Sequence, residues 1–177
     1  MDIFCEYIVK KKKEKEDYLK IVGVVVGALL VSYLLVGLIC SFLTFLASFS
    51  VVFVIGVFYY AFKLIRNSSI EYEYILTNNE LDIDKIIAKS ARKRMLTVNF
   101  REIELCANVN DSSKINEYNN SSEKTILKYY GDKNSEDIYF VDFYDGNKNM
   151  RLLFEPNEKI LKGIKTQNPS KVFVLEK

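Results

Sequence analysis

Residues 21–62, IVGVVVGALLVSYLLVGLICSFLTFLASFSVVFVIGVFYYAF, contain no Asp, Glu, Lys or Arg, a run of 42. As a single helix they would extend about 63 Å at 1.5 Å per residue, twice the roughly 30 Å hydrocarbon core of a bilayer. The chain is therefore expected to turn back. Two spans fit, over about 21–40 and 45–65, with a tight turn around Ser41 to Ser48, so that 21–66 forms a transmembrane helical hairpin.

The flanks orient that hairpin. Lys10 to Lys13, Lys15 and Lys20 precede it, Lys63 and Arg66 follow it, and the turn carries no charge. Because the rule counts Lys and Arg on short flanks, both termini are expected in the cytoplasm, in a multi-pass protein of the cell membrane. A secretory signal peptide is the rival reading, but its apolar region would be several times shorter. Gly23 and Gly27 form a GxxxG, a spacing that lets helices approach closely. Their expected partner is the second span near Gly56 and Ser48, with homodimerisation as the alternative. The spans lack the ionisable groups on which a proton or ion path relies, which argues against a transporter.

Residues 1–20 form a basic leader with six Lys and five acidic residues. Ile3, Phe4, Tyr7 and Ile8 fall at helical spacing, which suggests either a short helix in the headgroup region or a mobile tail.

From Ile70 the period changes to two. Ile70, Tyr72, Tyr74 and Leu76 alternate with Glu71 and Glu73, and Leu81 and Ile83 alternate with Asp82 and Asp84. Asn78-Asn79 provides the turn between the two runs. Leu96, Val98 and Phe100 continue as a third strand, and Ile103 to Val109 gives a fourth. Residues 110–123, NDSSKINEYNNSSE, read as a flexible loop. Strands resume at Thr125 to Tyr130, Asp137 to Tyr144 and Asn149 to Phe154, the last pair turning at Asp145-Gly146-Asn147. A helix begins after Pro156, presents Ile160, Leu161 and Ile164, and stops at Asn168-Pro169. The fold class is thus a membrane α-helical hairpin plus a mainly β (α+β) domain over 67–177. That domain is an antiparallel curled sheet of about seven strands closed by a C-terminal helix.

The stretch YILTNNELDIDKIIAKSARKRMLTVNFREIE, Tyr74 to Glu104, resembles the opening of bacterial pleckstrin-homology-like domains. It has a Tyr-x-x-Thr strand end, a turn, a second strand, a basic connection and a third strand. The whole layout is also similar to an uncharacterised family of two-span membrane proteins of clostridia and related bacteria. The resemblance implies an architecture, a pleckstrin-homology-like domain that follows membrane helices, and no established activity.

Within 67–177, 17 basic groups nearly balance 18 acidic ones, so the domain lacks the positive field of a nucleic-acid binder and no nucleic-acid partner is expected. The chain has no His, which removes the commonest general base and metal ligand. The three cysteines, Cys5, Cys40 and Cys106, are spaced as separate reduced thiols. No catalytic residues, cofactor or metal are expected. Glu71, Glu73, Asp82 and Asp84 lie on flat strands that would not wrap a hard cation, and Glu136, Asp137, Asp142 and Asp145 read as a solvated strand face and turn.

Lys89, Arg92, Lys93 and Arg94 form the densest basic cluster outside the leader. By analogy with eukaryotic pleckstrin-homology domains, the cluster is a candidate for anionic lipid headgroups. The competing expectation is that these cations pair across the sheet with Glu71, Glu73, Asp82 and Asp84. The expected partners are the lipid bilayer and a protein, including a second copy of the chain, and the expected function is a membrane-anchored binding or scaffold module.

Overall fold

The computed structural model describes residues 3–42, 44–120, 124–146 and 148–175. The chain forms two compact units, one of Lys13–Ser69 and the other of the segment before it together with the chain from Ile70 onward.

In the first unit, α1 (Lys15–Phe42) and α2 (Ser50–Asn67) are joined by a 3₁₀ segment, Thr44–Phe49, and pack against each other. Both helices are long and apolar enough to cross a membrane, with most of their surface exposed. The expected turn falls in this connection, and Leu43 within it lies outside the described residues. Ala28, Ser32 and Ile39 of α1 and Ala61 of α2 are buried. Val24 and Leu35, with Val54, Val57 and Ile65, are half-buried at the three- and four-residue spacing of a helix seam.

Among the described residues the second unit contains eight strands in two four-stranded sheets, not seven in one curled antiparallel sheet. The first sheet is ordered β1 (Phe4–Lys10), β2 (Ile70–Thr77), β3 (Glu80–Ile87), β4 (Ala91–Asn99), all antiparallel. The apolar part of the leader, expected as a short helix or a mobile tail, is thus a strand. Its Cys5, Tyr7 and Val9 lie opposite Leu76, Tyr74 and Tyr72, and this period of two outweighs the helical spacing of Ile3, Phe4, Tyr7 and Ile8 once a strand edge is available to pair. The helices are consequently an insertion between two neighbouring strands, connected through residues 11–14 on one side and 68–69 on the other.

The second sheet is ordered β5 (Leu105–Asn108), β7 (Tyr139–Asp145), β8 (Lys148–Phe154), β6 (Thr125–Tyr129). β6 runs parallel to β8, a departure from the expected all-antiparallel pairing. The β7–β8 turn contains Asn147, which lies outside the described residues. The inner faces of the two sheets share a core containing Tyr74, Leu76, Leu81, Ile83, Val141 and Phe154. Ile160 and Ile164 of α4 (Glu158–Gln167) join that core. The helix is capped by Asn157, whose side chain accepts a hydrogen bond from the Ile160 N–H at 2.9 Å. At Gly163 it comes so close to β2 that a Cβ there would sit 2.5 Å from a Leu76 methyl.

Unlike the first sheet, the second has both faces covered. Ala107, Phe140 and Leu153 point away from the main core into a smaller cluster with Ile138, Tyr118 and Phe173. Its lid is the Asn/Ser-rich segment expected to be a flexible loop, which contains a short helix, α3 (Ile115–Asn119). Residues 121–123 of that loop lie outside the described residues. The C-terminal stretch bridges to the edge of β5, where Cys106 N–H donates to the Lys171 carbonyl and Phe173 N–H to the Cys106 carbonyl, at 2.9 and 2.7 Å.

Candidate functional site

The basic cluster lies on the turn after β3 and on the first half of β4, the free edge of the first sheet. Its four cations differ in their surroundings. Arg92 Nη2 donates to Glu73 Oε1 at 3.0 Å and lies 2.9 Å from Oε2. Arg94 bridges two carboxylates, with Nη1 2.6 Å from Asp82 and Nε donating to Asp84. The hydrogen bond to Asp84 and the neighbouring Asp82 charge hold the Arg94 guanidinium above its ordinary pKa. Glu73 and Asp84 face each other in register and are buried at 4% exposure each. Two adjacent carboxylates at that burial require cations, which the arginines of the next strand supply.

Lys89 and Lys93 have no ion pair among the described residues and are exposed. Lys89 and Ala88 both adopt positive φ, 56° and 53°, in the turn between β3 and β4. A side chain in that region costs about 1–2 kcal/mol per residue. Further along, a bulge at the Ile83/Asp84 register shift leaves Met95 as the extra residue of β4.

β4 also borders a cavity of about 580 Å³, lined by Arg94 to Asn99 on one side and by Phe143 to Gly146 of the β7–β8 turn on the other, with Glu102 at its end. A second cavity of about 480 Å³ opens beside the start of α4, between Tyr7, Tyr139, Leu161 and the 174–175 tail, next to Glu155 and Glu158.

On α1, Gly27 is half-buried beside the buried Ala28, whereas Gly23 is exposed. A Cβ built on either, or on Gly56, meets nothing within 4 Å.

The reading of Asp142 as a solvated carboxylate is corrected. Asp142 and Arg151 are opposed on β7 and β8 and are 2% and 1% exposed. Arg151 donates twice to Asp142, Nε at 2.7 Å and Nη2 at 2.8 Å, and Lys124 approaches the same carboxylate at 2.8 Å. The guanidinium also donates to the carbonyls of Tyr118 and Glu117, the latter at 2.8 Å, and lies over the Phe140 ring. One buried cation thus fastens the lid at the carbonyl end of α3. The turn register could have revealed the pair, since Asp145 opposite Lys148 places Asp142 opposite Arg151.

Among the described residues no group of His, Cys, Asp and Glu could hold a metal ion. Cys106 is fully enclosed, and burial pushes its thiol pKa well up, holding it in the protonated, weakly nucleophilic form.

The family profile described as bacterial PH-like domain (DUF6106) matches residues 1–174. The chain belongs to that family. The match begins with the leader and runs through both helices, so this bacterial PH-like sequence includes β1 and the inserted hairpin along with the strands after Ile70. No curated protein and no solved structure is significantly similar to the chain.

Proposed function

We propose that the protein is a membrane-anchored, non-catalytic binding or scaffold module whose PH-like unit faces the cytoplasm. The observation that carries this reading is the pairing of β1 with β2 across the inserted helices. Strands that hydrogen-bond to each other lie on one side of a bilayer, so the pairing favours a hairpin with both ends on that side. The lysines before α1, together with Lys63 and Arg66, favour the cytoplasmic side. Family membership supports a role in binding.

Topology is tested in intact cells with a membrane-impermeant thiol reagent, after Cys5, Cys40 and Cys106 have been replaced. Ser48→Cys is expected to label from outside and Ser68→Cys only after lysis. Labelling of Ser68→Cys in intact cells, or recovery of the chain in the soluble fraction, would sink the reading.

A second reading, recognition of anionic headgroups, is favoured by Lys89 and Lys93 standing exposed without carboxylate partners among the described residues. With the chain in nanodiscs and a fluorophore on Ser90→Cys, a headgroup quencher should act more strongly in anionic than in zwitterionic lipid. Lys89→Glu with Lys93→Glu should abolish the difference. Equal quenching in both lipids rejects this reading.

A further inference from the structure

From the edge of the first sheet we infer that β4 is a homotypic docking strand: two copies in one membrane join β4 to β4, antiparallel, into a continuous sheet. The inference rests on the membrane-scaffold reading and names its partner. β1 and β4 are the two edges of the first sheet. Along β4, alternate N–H and C=O groups face away from β3 with no strand partner among the described residues. Space lies beside Arg94 to Asn99, in the cavity whose other wall is Phe143 to Gly146.

Charge selects the occupant. The edge is polarised: Lys89 and Lys93 stand at its start, while Arg92 and Arg94 are already paired within the sheet, and Glu102 and Asp145 lie beside its end. A strand of uniform charge would complement one half and oppose the other. A second copy related by a two-fold axis presents the opposite order, because antiparallel pairing sets the start of each strand against the end of its mate. With the axis between Met95 and Leu96, Arg92 lies opposite Asn99 and Lys89 opposite Glu102. The bulge at Met95 and the cationic half are also devices that deter indiscriminate strands. The two-fold arrangement matches Lys89 with Glu102 twice, whereas a generic apolar strand would leave both unmatched.

The test uses the full chain in its own membrane, in a background without native cysteines. Met95→Cys, beside the axis, is expected to give an oxidised dimer, and Ile126→Cys on exposed β6 is the collision control. Lys89→Glu and Glu102→Lys should each lower the Met95→Cys dimer about fivefold, since each turns two symmetry-related attractions into repulsions. Carrying both changes in one chain should restore it. Equal crosslinking at Ile126→Cys, insensitivity to either reversal, or failure of the double variant to recover would overturn the homotypic edge. A membrane-embedded chain that shows no Met95→Cys dimer overturns the edge and leaves the anchored reading standing. A chain found in the soluble fraction overturns the anchored reading itself.

Discussion

Lys10 at the end of β1 lies opposite Glu71 at the start of β2, although the entire apolar hairpin separates them in the sequence. Lys11 N–H continues the ladder by donating to the Ile70 carbonyl at 3.0 Å. The β1–β2 ladder is therefore continuous across the helices, which interrupt the sheet in sequence without adding a strand to it.

Replacing residues 13–69 by Gly-Asn-Gly should yield a soluble, cooperatively unfolding domain, because a short Gly-containing loop suits an antiparallel pair. A fragment beginning at Ile70 should lack that transition. Without β1 it uncovers the flank of Tyr72, Tyr74 and Leu76, all buried in the whole chain. Thermal melts followed by circular dichroism compare the two.

Gly131 presses on the end of β1. A Cβ at this position would collide with a Val9 methyl and lie 2.8 Å from the Lys10 carbonyl oxygen, and the Gly131 N–H is already held by Glu155 at 2.9 Å. Gly131→Ala should destabilise the domain by about 2–3 kcal/mol, in the range of an overpacked contact. Hydrogen exchange should show the loss first in the amides of β1.

Arg151→Met should be among the most damaging substitutions, at about 3–5 kcal/mol, because it leaves a buried carboxylate with Lys124 as its remaining ion-pair partner. It also frees the Glu117 and Tyr118 carbonyls. Limited proteolysis should then cut within 110–120 faster than in the parent chain.

Lys89→Gly relieves a left-handed residue in the β3–β4 turn. Urea unfolding of the soluble domain should show a gain of about 0.5–1 kcal/mol, after the entropy of the unfolded glycine offsets part of the relief. The same change removes a candidate contact for lipid or for a second copy. Higher stability with weaker association would separate its binding role from its folding role.

Burial raises the Cys106 thiol and the Tyr74 phenol well above their ordinary values. In the unfolded chain the thiol ionises near pH 8.5 and the phenol near pH 10, whereas in the fold both stay neutral. Stability is unaffected below the ordinary thiol range and falls as pH rises through the interval between the unfolded and folded values, because only the unfolded state gives up its protons. Melting temperature should decline from about pH 8.5 upward, and Cys106→Ala should remove the first part of that decline.

Much of this architecture is legible in local pattern. The alternation from Ile70, the Asn78-Asn79 turn, the β7–β8 turn and the stop at Asn168-Pro169 all lie where the residue order places them. Partners distant in the chain were harder to read. Phe4–Lys10 shows both spacings, and only the β2 edge settles it as a strand. The division into two sheets depends on how β5 leaves β4, for which local hydropathy carries no signal. The loop over 110–123 looks unstructured because its anchors are backbone carbonyls and one tyrosine, held by an arginine from another strand. Of the basic cluster, the pairing of Arg92 and Arg94 follows from strand alternation, while the positive φ at Lys89 does not.

The insertion also gives the fold a temporal order. The ribosome releases Phe4–Lys10 first, yet the strand that receives it emerges only after both apolar helices have been made. During that interval the oldest segment of the domain is an unmatched ribbon. A nascent chain whose helices came to rest with their ends on opposite faces of a bilayer would leave Tyr7 and Val9 without Tyr74 and Tyr72 to cover. On the anchored reading, completion of the sheet would therefore report that both helix ends had come to rest on one face.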